Sequence, residues 1–199
     1  MGRPQEIDPS DLLEHARQLW IEQGRQAVTT RAVSARAGVS SGSLYSYFGS
    51  RDELIAKVWA SEATAFRAFQ AEQVASARRA GDSTDVVLAA ALATGDYAAV
   101  RGAAVRVLFA SRPGDGAADL PTPLAAELAR HRTETDALLA VLAFESWGRH
   151  DADAVALMRM CVVDVPARLL VAGGREHHLL ARHAIEHAVR GILAAGPPD

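Results

Sequence analysis

The stretch TTRAVSARAGVSSGSLYSYFGSRDEL, residues 29–54, holds three helix starts in quick succession. Thr29 is placed to N-cap a first helix running to Ala37, its hydroxyl accepting from the free amides of the first turn. Val28 and Val33 occupy the N′ and N4 positions of a hydrophobic staple around it. Gly38 then supplies the left-handed residue that ends a helix and turns the chain. The grammar repeats with Val39 at N′, Ser40 as N-cap and Leu44 at N4. It repeats again with Ser50, a capping-box Glu53 three residues on, and Leu54 at N4. Two short helices across a tight glycine turn, with a third behind them, describe a helix-turn-helix.

The outward face of the second helix shows what such a unit is for. Leu44 and Phe48 lie four residues apart and share one face, which must be the buried one. Ser41, Gly42, Ser43, Tyr45, Ser46 and Tyr47 point elsewhere. Small residues let a helix sink into a major groove, while hydroxyls and phenols contact phosphates and base edges. Five basic residues, Arg25, Arg31, Arg36, Arg51 and Lys57, face only Asp52 and Glu53 between positions 25 and 57, in a chain whose formal charge is -3. Local gathering of positive charge in a near-neutral chain fits a site-specific nucleic-acid binder.

The runs Thr29-Thr-Arg-Ala-Val33, Ala37-Gly38-Val39-Ser40, Gly42-Ser43-Leu44-Tyr45, Tyr47-Phe48 and Ser50-Arg51-Asp-Glu-Leu54 resemble the DNA-binding domain of the tetracycline-repressor (TetR) family. The resemblance covers roughly residues 8–58; the remainder agrees with the family only in length and all-helical pattern. Ser34 stands where the family usually has Ala, and Arg51 where it usually has Lys. Arg51 keeps the phosphate charge but offers a planar fork in place of a compact ammonium.

Alanine, leucine, valine and arginine dominate a chain that is 49% apolar and 23% charged, and no sustained period-2 alternation is present. The expected fold is therefore all-α, with about nine helices. The expected domains are a three-helix N-terminal helix-turn-helix domain over 1–50 and a C-terminal domain over 51–199, which the resemblance implies binds an effector and dimerises. The first helix starts at Asp8 with Pro9 at N1 and a staple of Ile7 and Leu12. Arg3 lies in an N-terminal arm before it. A long helix over about 51–79 links the domains, its apolar stripe continuing past Trp59 to Phe66. Further helices are expected near 84–94, 97–111, 123–147, 151–172 and 175–194, with breaks at Gly95-Asp96 and Gly173-Gly174, one long loop from Ser111 to Thr122, and a kink at Pro166.

The single cysteine, Cys161, excludes an intramolecular disulfide. The N-terminus lacks the apolar core of a signal peptide, and no run of about 18 apolar residues appears, so a cytoplasmic protein with no membrane partner is expected. No G-x-S-x-G, glycine-rich phosphate loop or H-E-x-x-H is present, so no enzyme, cofactor or metal site is expected. His183 and His187 stand at i, i+4 without a convergent carboxylate and are read as interface or polar histidines.

The resemblance implies a dimer formed by the last two helices, for which Val155, Val162 and Leu169 make one stripe and Leu180, Ala184, Ala188 and Ile192 another. It also implies an effector cavity. Phe66, Tyr97, Phe109, Phe144, Trp147, Met158 and Cys161 are the candidates to line it, which would suit a largely apolar small molecule. On this reading Thr29, Tyr45, Tyr47 and Arg51 hold phosphates, and Arg31, Ser41, Gly42 and Ser43 approach base edges of a palindromic double-stranded operator. The expected function is a transcriptional regulator, a homodimeric repressor released by its effector. A DNA-binding regulator without ligand control, or a helical small-molecule-binding or enzymatic bundle, are the alternatives.

Overall fold

The computed structural model describes residues 8–109, 120–171 and 178–198, and every regular element among them is helical. In chain order these are α1 Pro9–Gln23, α2 Thr30–Ala37, α3 Ser41–Phe48, α4 Arg51–Ala80 and α5 Ser83–Arg101. They continue with α6 Val105–Phe109, α7 Thr122–Trp147, α8 Ala152–Arg159 and α9 Leu179–Ala195. Arg3, Ile7, residues 111–119 of the long loop and the Gly173-Gly174 break lie outside the described residues.

The chain divides into two compact units, one of Met1–Glu62 with Arg106–Ala129 and one of Ala63–Val105 with Arg130–Asp199. The division falls inside α4, so that helix belongs to both. The described residues between 106 and 129, which sequence alone leaves with the C-terminal part, cluster with the first unit.

The first unit is assembled as its local signals dictate. Asp8 accepts from the Ser10 amide at 2.8 Å, Thr29 from Ala32 at 3.1 Å, Ser40 from Ser43 at 3.1 Å and Ser50 from Glu53 at 3.1 Å. Gly38 is left-handed at φ +70°, where a side chain would be strained, and it turns the chain from α2 into α3. The staple residues Val28 and Val33 join Leu12, Ala16, Trp20, Leu44, Phe48, Leu54 and Val58 in one buried core. Each such fully buried side chain contributes about 1.5–3 kcal/mol.

The second unit is built around α5. Val86, Val87, Ala90, Ala91 and Leu92 pack with Leu139 and Leu142 of α7, Met158 of α8 and Ile185 and Val189 of α9. The break expected at Gly95-Asp96 does not occur: α5 runs through it to Arg101 and ends at Gly102, φ +61°. Burial of Thr94, Tyr97 and Ala98 on either side outweighs the roughly 1 kcal/mol that glycine costs inside a helix. Asp96 is used as a helix-surface group, pairing with Arg182 at 2.5 Å.

The same burial explains the composition of this stretch. Ser83–Phe109 is long and apolar enough to cross a membrane by length and mean hydropathy, yet 56% of its apolar 18-residue window is buried inside the protein. Its main helix, α5, is part of the core. The disturbance expected at Pro166 takes the form of two π-helical stretches, Met160–Asp164 and Ala167–Val171, on either side of it. A ring without an amide cannot donate to the carbonyl four residues back, and wider turns absorb the mismatch.

Cys161 is fully buried in this core, and desolvation pushes its thiol up to about 11. It stays protonated and inaccessible at pH 8. A thiol reagent such as DTNB is therefore expected to react with the native chain at least tenfold more slowly than with the chain in denaturant; equal rates would contradict this packing.

Candidate nucleic-acid interface

The core fixes which face of α3 is open. Leu44 and Phe48 are buried at 0% and 2% exposure, whereas Tyr45 and Tyr47 are 54% and 39% exposed and Ser41, Gly42 and Ser46 are also at the surface. Ser43 is half-buried. Its hydroxyl lies 2.8 Å from that of Ser40, and its carbonyl accepts from Ser46 Oγ at 2.7 Å. Of the residues expected to approach base edges, Ser43 is therefore the one already engaged with the helix cap. Gly42 differs from Gly38 and Gly49 on either side of α3: it has no positive φ, and a Cβ built on it would meet only Ser40 Oγ, at 3.7 Å. Among the described residues nothing requires glycine there.

The basic residues fall into distinct roles. Arg36 makes a two-pronged contact with Glu22 at 2.6 and 2.7 Å, tying α2 to α1; the charged hydrogen bond raises the arginine pKa and lowers that of Glu22. Lys57 donates to the Tyr47 carbonyl at 3.1 Å, with its ammonium 5.2 Å from the centre of the Phe48 ring, which pins the end of α3 to α4. Arg51, expected to hold a phosphate, donates through Nε to the Val28 carbonyl at 2.6 Å and through Nη2 to that of Arg25 at 2.9 Å. Those carbonyls belong to the first residue of the 3-10 turn Arg25–Ala27 and to the residue that follows it, on the way into α2. Arg51 thus fixes the entry to the motif with two of its donors, and its Nη1 faces Asp52 at 3.8 Å. The fork that distinguishes arginine from lysine is what spans two carbonyls. Arg31 is exposed on α2 and has no hydrogen bond or ion pair among the described residues. Thr29 spends its hydroxyl on the α2 cap.

A rigid two-helix unit with an open face of small, hydroxyl and phenol groups beside an exposed arginine has the form of a DNA reader. Residues 12–58 match the sequence model described as bacterial regulatory proteins, tetR family. The N-terminal domain belongs to the tetR family. Among curated proteins none matches the chain significantly.

Solved tetR-type and related regulators share the whole fold. The ketosteroid transcriptional regulator KstR2 of Mycobacterium tuberculosis superposes with a TM-score of 0.67 at 19% identity, over 96% of this chain and 95% of that one. A TetR-family transcriptional regulator from Streptomyces coelicolor gives 0.67 at 22%, over 94% of each chain. The transcriptional regulator FadR of Bacillus subtilis, solved in complex with stearoyl-CoA, gives 0.68 at 12%, over 96% of this chain and all of that one. At these identities the likeness is one of fold.

The seven candidate cavity residues have different surroundings. Phe66 and Tyr97 meet edge to face, 5.4 Å between ring centres, and Phe69, which sequence did not single out for the cavity, meets Tyr97 at the same distance. Met158 and Cys161 are fully packed core. Trp147 donates to the Leu193 carbonyl at 3.0 Å and so clasps the end of α9. Phe144 is 57% exposed beside His150, and Phe109 belongs to the first unit. A cleft of about 350 Å³ opens elsewhere in the second unit, between α4 and α7.

The two dimer stripes also separate. Val162 is buried in the core of the second unit, and Val155, Leu169 and Ile192 pack against it. Leu180 is 71% exposed, Leu179 81%, and Ala184, His183, His187 and Gly191 are exposed along the same helix, with Ala188 half-buried. Among the described residues no group of three or more His, Cys, Asp or Glu gathers as metal ligands.

Proposed function

We propose that this chain is a DNA-binding transcriptional regulator, a homodimer that represses from a palindromic operator and is released by a small-molecule effector held in its second unit. The observation that carries the reading is the open face of α3, Ser41, Gly42, Tyr45, Ser46 and Tyr47, on a helix-turn-helix whose other face is fully committed to the core. Arg31, Ser41 and Gly42 approach base edges, Ser43 through its position at the first turn. Thr29, Tyr45 and Tyr47 set the register on the phosphates, and Arg51 holds the turn that presents α2. One recognition helix reads too few base pairs, so two copies are needed. The exposed Leu179, Leu180 and Ala184 on α9 give a second copy an apolar surface to cover. Helix α4 is shared by both units, so an effector that shifts it alters how the recognition helices are presented. Ligand and DNA must then weaken each other's binding by the same factor. The reading assigns no catalysis and no cofactor, and places the protein with the DNA in the cytoplasm.

Two substitutions separate the assigned roles. Tyr47→Phe is expected to weaken binding to all DNA sequences about equally, by roughly three- to tenfold, as loss of a phosphate contact does. Ser41→Ala is expected to alter preference at particular base positions with little change in overall affinity. Gel-shift titrations against a panel of single-base operator variants distinguish the two patterns, and the reverse assignment would overturn these roles.

A further inference from the structure

Helices α4 and α7 are joined by contacts in constant register. Thr64 Oγ1 lies 3.4 Å from the ring of buried His131, Arg67 pairs with Glu134, and Arg78 pairs with Glu145 at 2.8 Å. Each pair is separated by 67 residues in sequence, so the two helices run side by side in the same direction. Between the two ion pairs, about 16 Å apart along the helix at 1.5 Å per residue, α4 presents Ala71 and Ala75. Their side chains are too short to close the gap to α7. The result is the 350 Å³ groove, with Val74 and Leu138 also on its wall. Its volume lies at the lower end of the range for small-molecule sites.

The groove is electrostatically uneven. At the Arg67 end two guanidiniums share one carboxylate, since Arg130 Nε also lies 3.9 Å from Glu134. His131 Nδ1 is 4.0 Å from the same group. Partial burial and the neighbouring Arg130 charge lower the Arg67 pKa from the ordinary arginine value, so the site presses on a cation it cannot discharge. Gln70, 7% exposed, is held in the wall by donation to the Ala90 carbonyl at 2.9 Å, which presets a second polar group beside Arg67. At the Arg78 end one cation meets one carboxylate.

We propose that this groove binds a small organic anion, a carboxylate on a short apolar body, with the carboxylate on Arg67 and the body along Ala71, Ala75 and Leu138. An incoming carboxylate takes Arg67, and Glu134 keeps Arg130 as its partner, so no charge is left stranded. The largely apolar effector expected from sequence thereby gains a charged end. The proposal deepens the reading of the second unit as an effector site and rests on it. Because Arg67 is carried on α4, occupancy acts on the helix that both units share.

Isothermal titration of the full-length chain at low ionic strength, without DNA, tests it using octanoate, octanol and octylamine. Octanoate is expected to bind saturably, with octanol and octylamine at least tenfold weaker. Arg67→Ala should weaken octanoate at least tenfold, and Ala71→Leu, which fills the groove, should abolish binding without lowering the melting temperature. Should Ala71→Leu fail to fold, Ala75→Val supplies the milder filling and is expected to weaken octanoate severalfold. Equal binding of octanol and octanoate, wild-type affinity in Arg67→Ala or the filled variant, or no saturable binding of octanoate would overturn the proposal. A parallel gel-shift keeps the two readings apart: retained DNA binding with no anion binding sinks the groove alone. Anion binding without any DNA retention sinks the regulator reading and leaves the groove standing.

Discussion

Gly42→Leu is expected to leave the fold intact or slightly more stable and to reduce operator binding by more than a hundredfold. Within the protein a side chain at this position has room, since the nearest atom to a built Cβ is Ser40 Oγ at 3.7 Å and the residue is exposed. Replacing glycine in a helix by a good helix former gains up to about 1 kcal/mol. On the proposed reading the same side chain stands where α3 approaches the floor of a major groove, beside Ser41 and Ser46. Four added heavy atoms there hold the whole helix away, so every phosphate and base contact lengthens together. Circular dichroism melts and gel-shift titrations on the same sample check the two halves. A variant that melts higher and still binds DNA as the parent does would show that this face of α3 is not the one in the groove.

Leu44→Ala is expected to have the largest effect on stability, about 2–5 kcal/mol from lost transfer energy and the cavity left behind. Leu44 has no exposed surface, and with Phe48 it is one of the two buried residues of α3. For a chain of this size that cost corresponds to a fall in melting temperature of roughly 5–15 °C. It is a large share of the 5–15 kcal/mol that typically holds a domain together. DNA binding should fall with it, because a recognition helix that is not seated cannot present its outer face. Recovery of binding at low temperature, with the melt still lowered, would identify the loss as one of stability. An unchanged melt would contradict the placement of Leu44.

Local grammar was legible and distant packing was not. Asp8, Thr29, Ser40 and Ser50 could be read as caps because each acts on an amide two or three residues away. The inward stripe of Leu44 and Phe48 followed from helix periodicity alone. Gly95-Asp96 misled because its helix is held by burial among α7, α8 and α9, which no nearby residue announces. Arg51 was legible as basic and well placed, but its two carbonyl partners lie 23 and 26 residues earlier and depend on how α4 meets the turn before α2. Sequence gives an aromatic residue's type alone; whether its ring lines a space, caps a helix end as Trp147 does, or stands in solvent as Phe144 does is decided by helix packing. The groove between α4 and α7 owes its existence to two alanines. Alanine carries no signal of that kind in a chain so rich in it.

Selection of bound sequences from random double-stranded DNA by the full-length chain tests the central claim most directly. The account predicts enrichment of an inverted repeat, with half-site centres about 34 Å or a multiple of it apart, and loss of that enrichment in Gly42→Leu. Recovery of no enriched sequence, or of the same sequences with Gly42→Leu as with the parent, would contradict it.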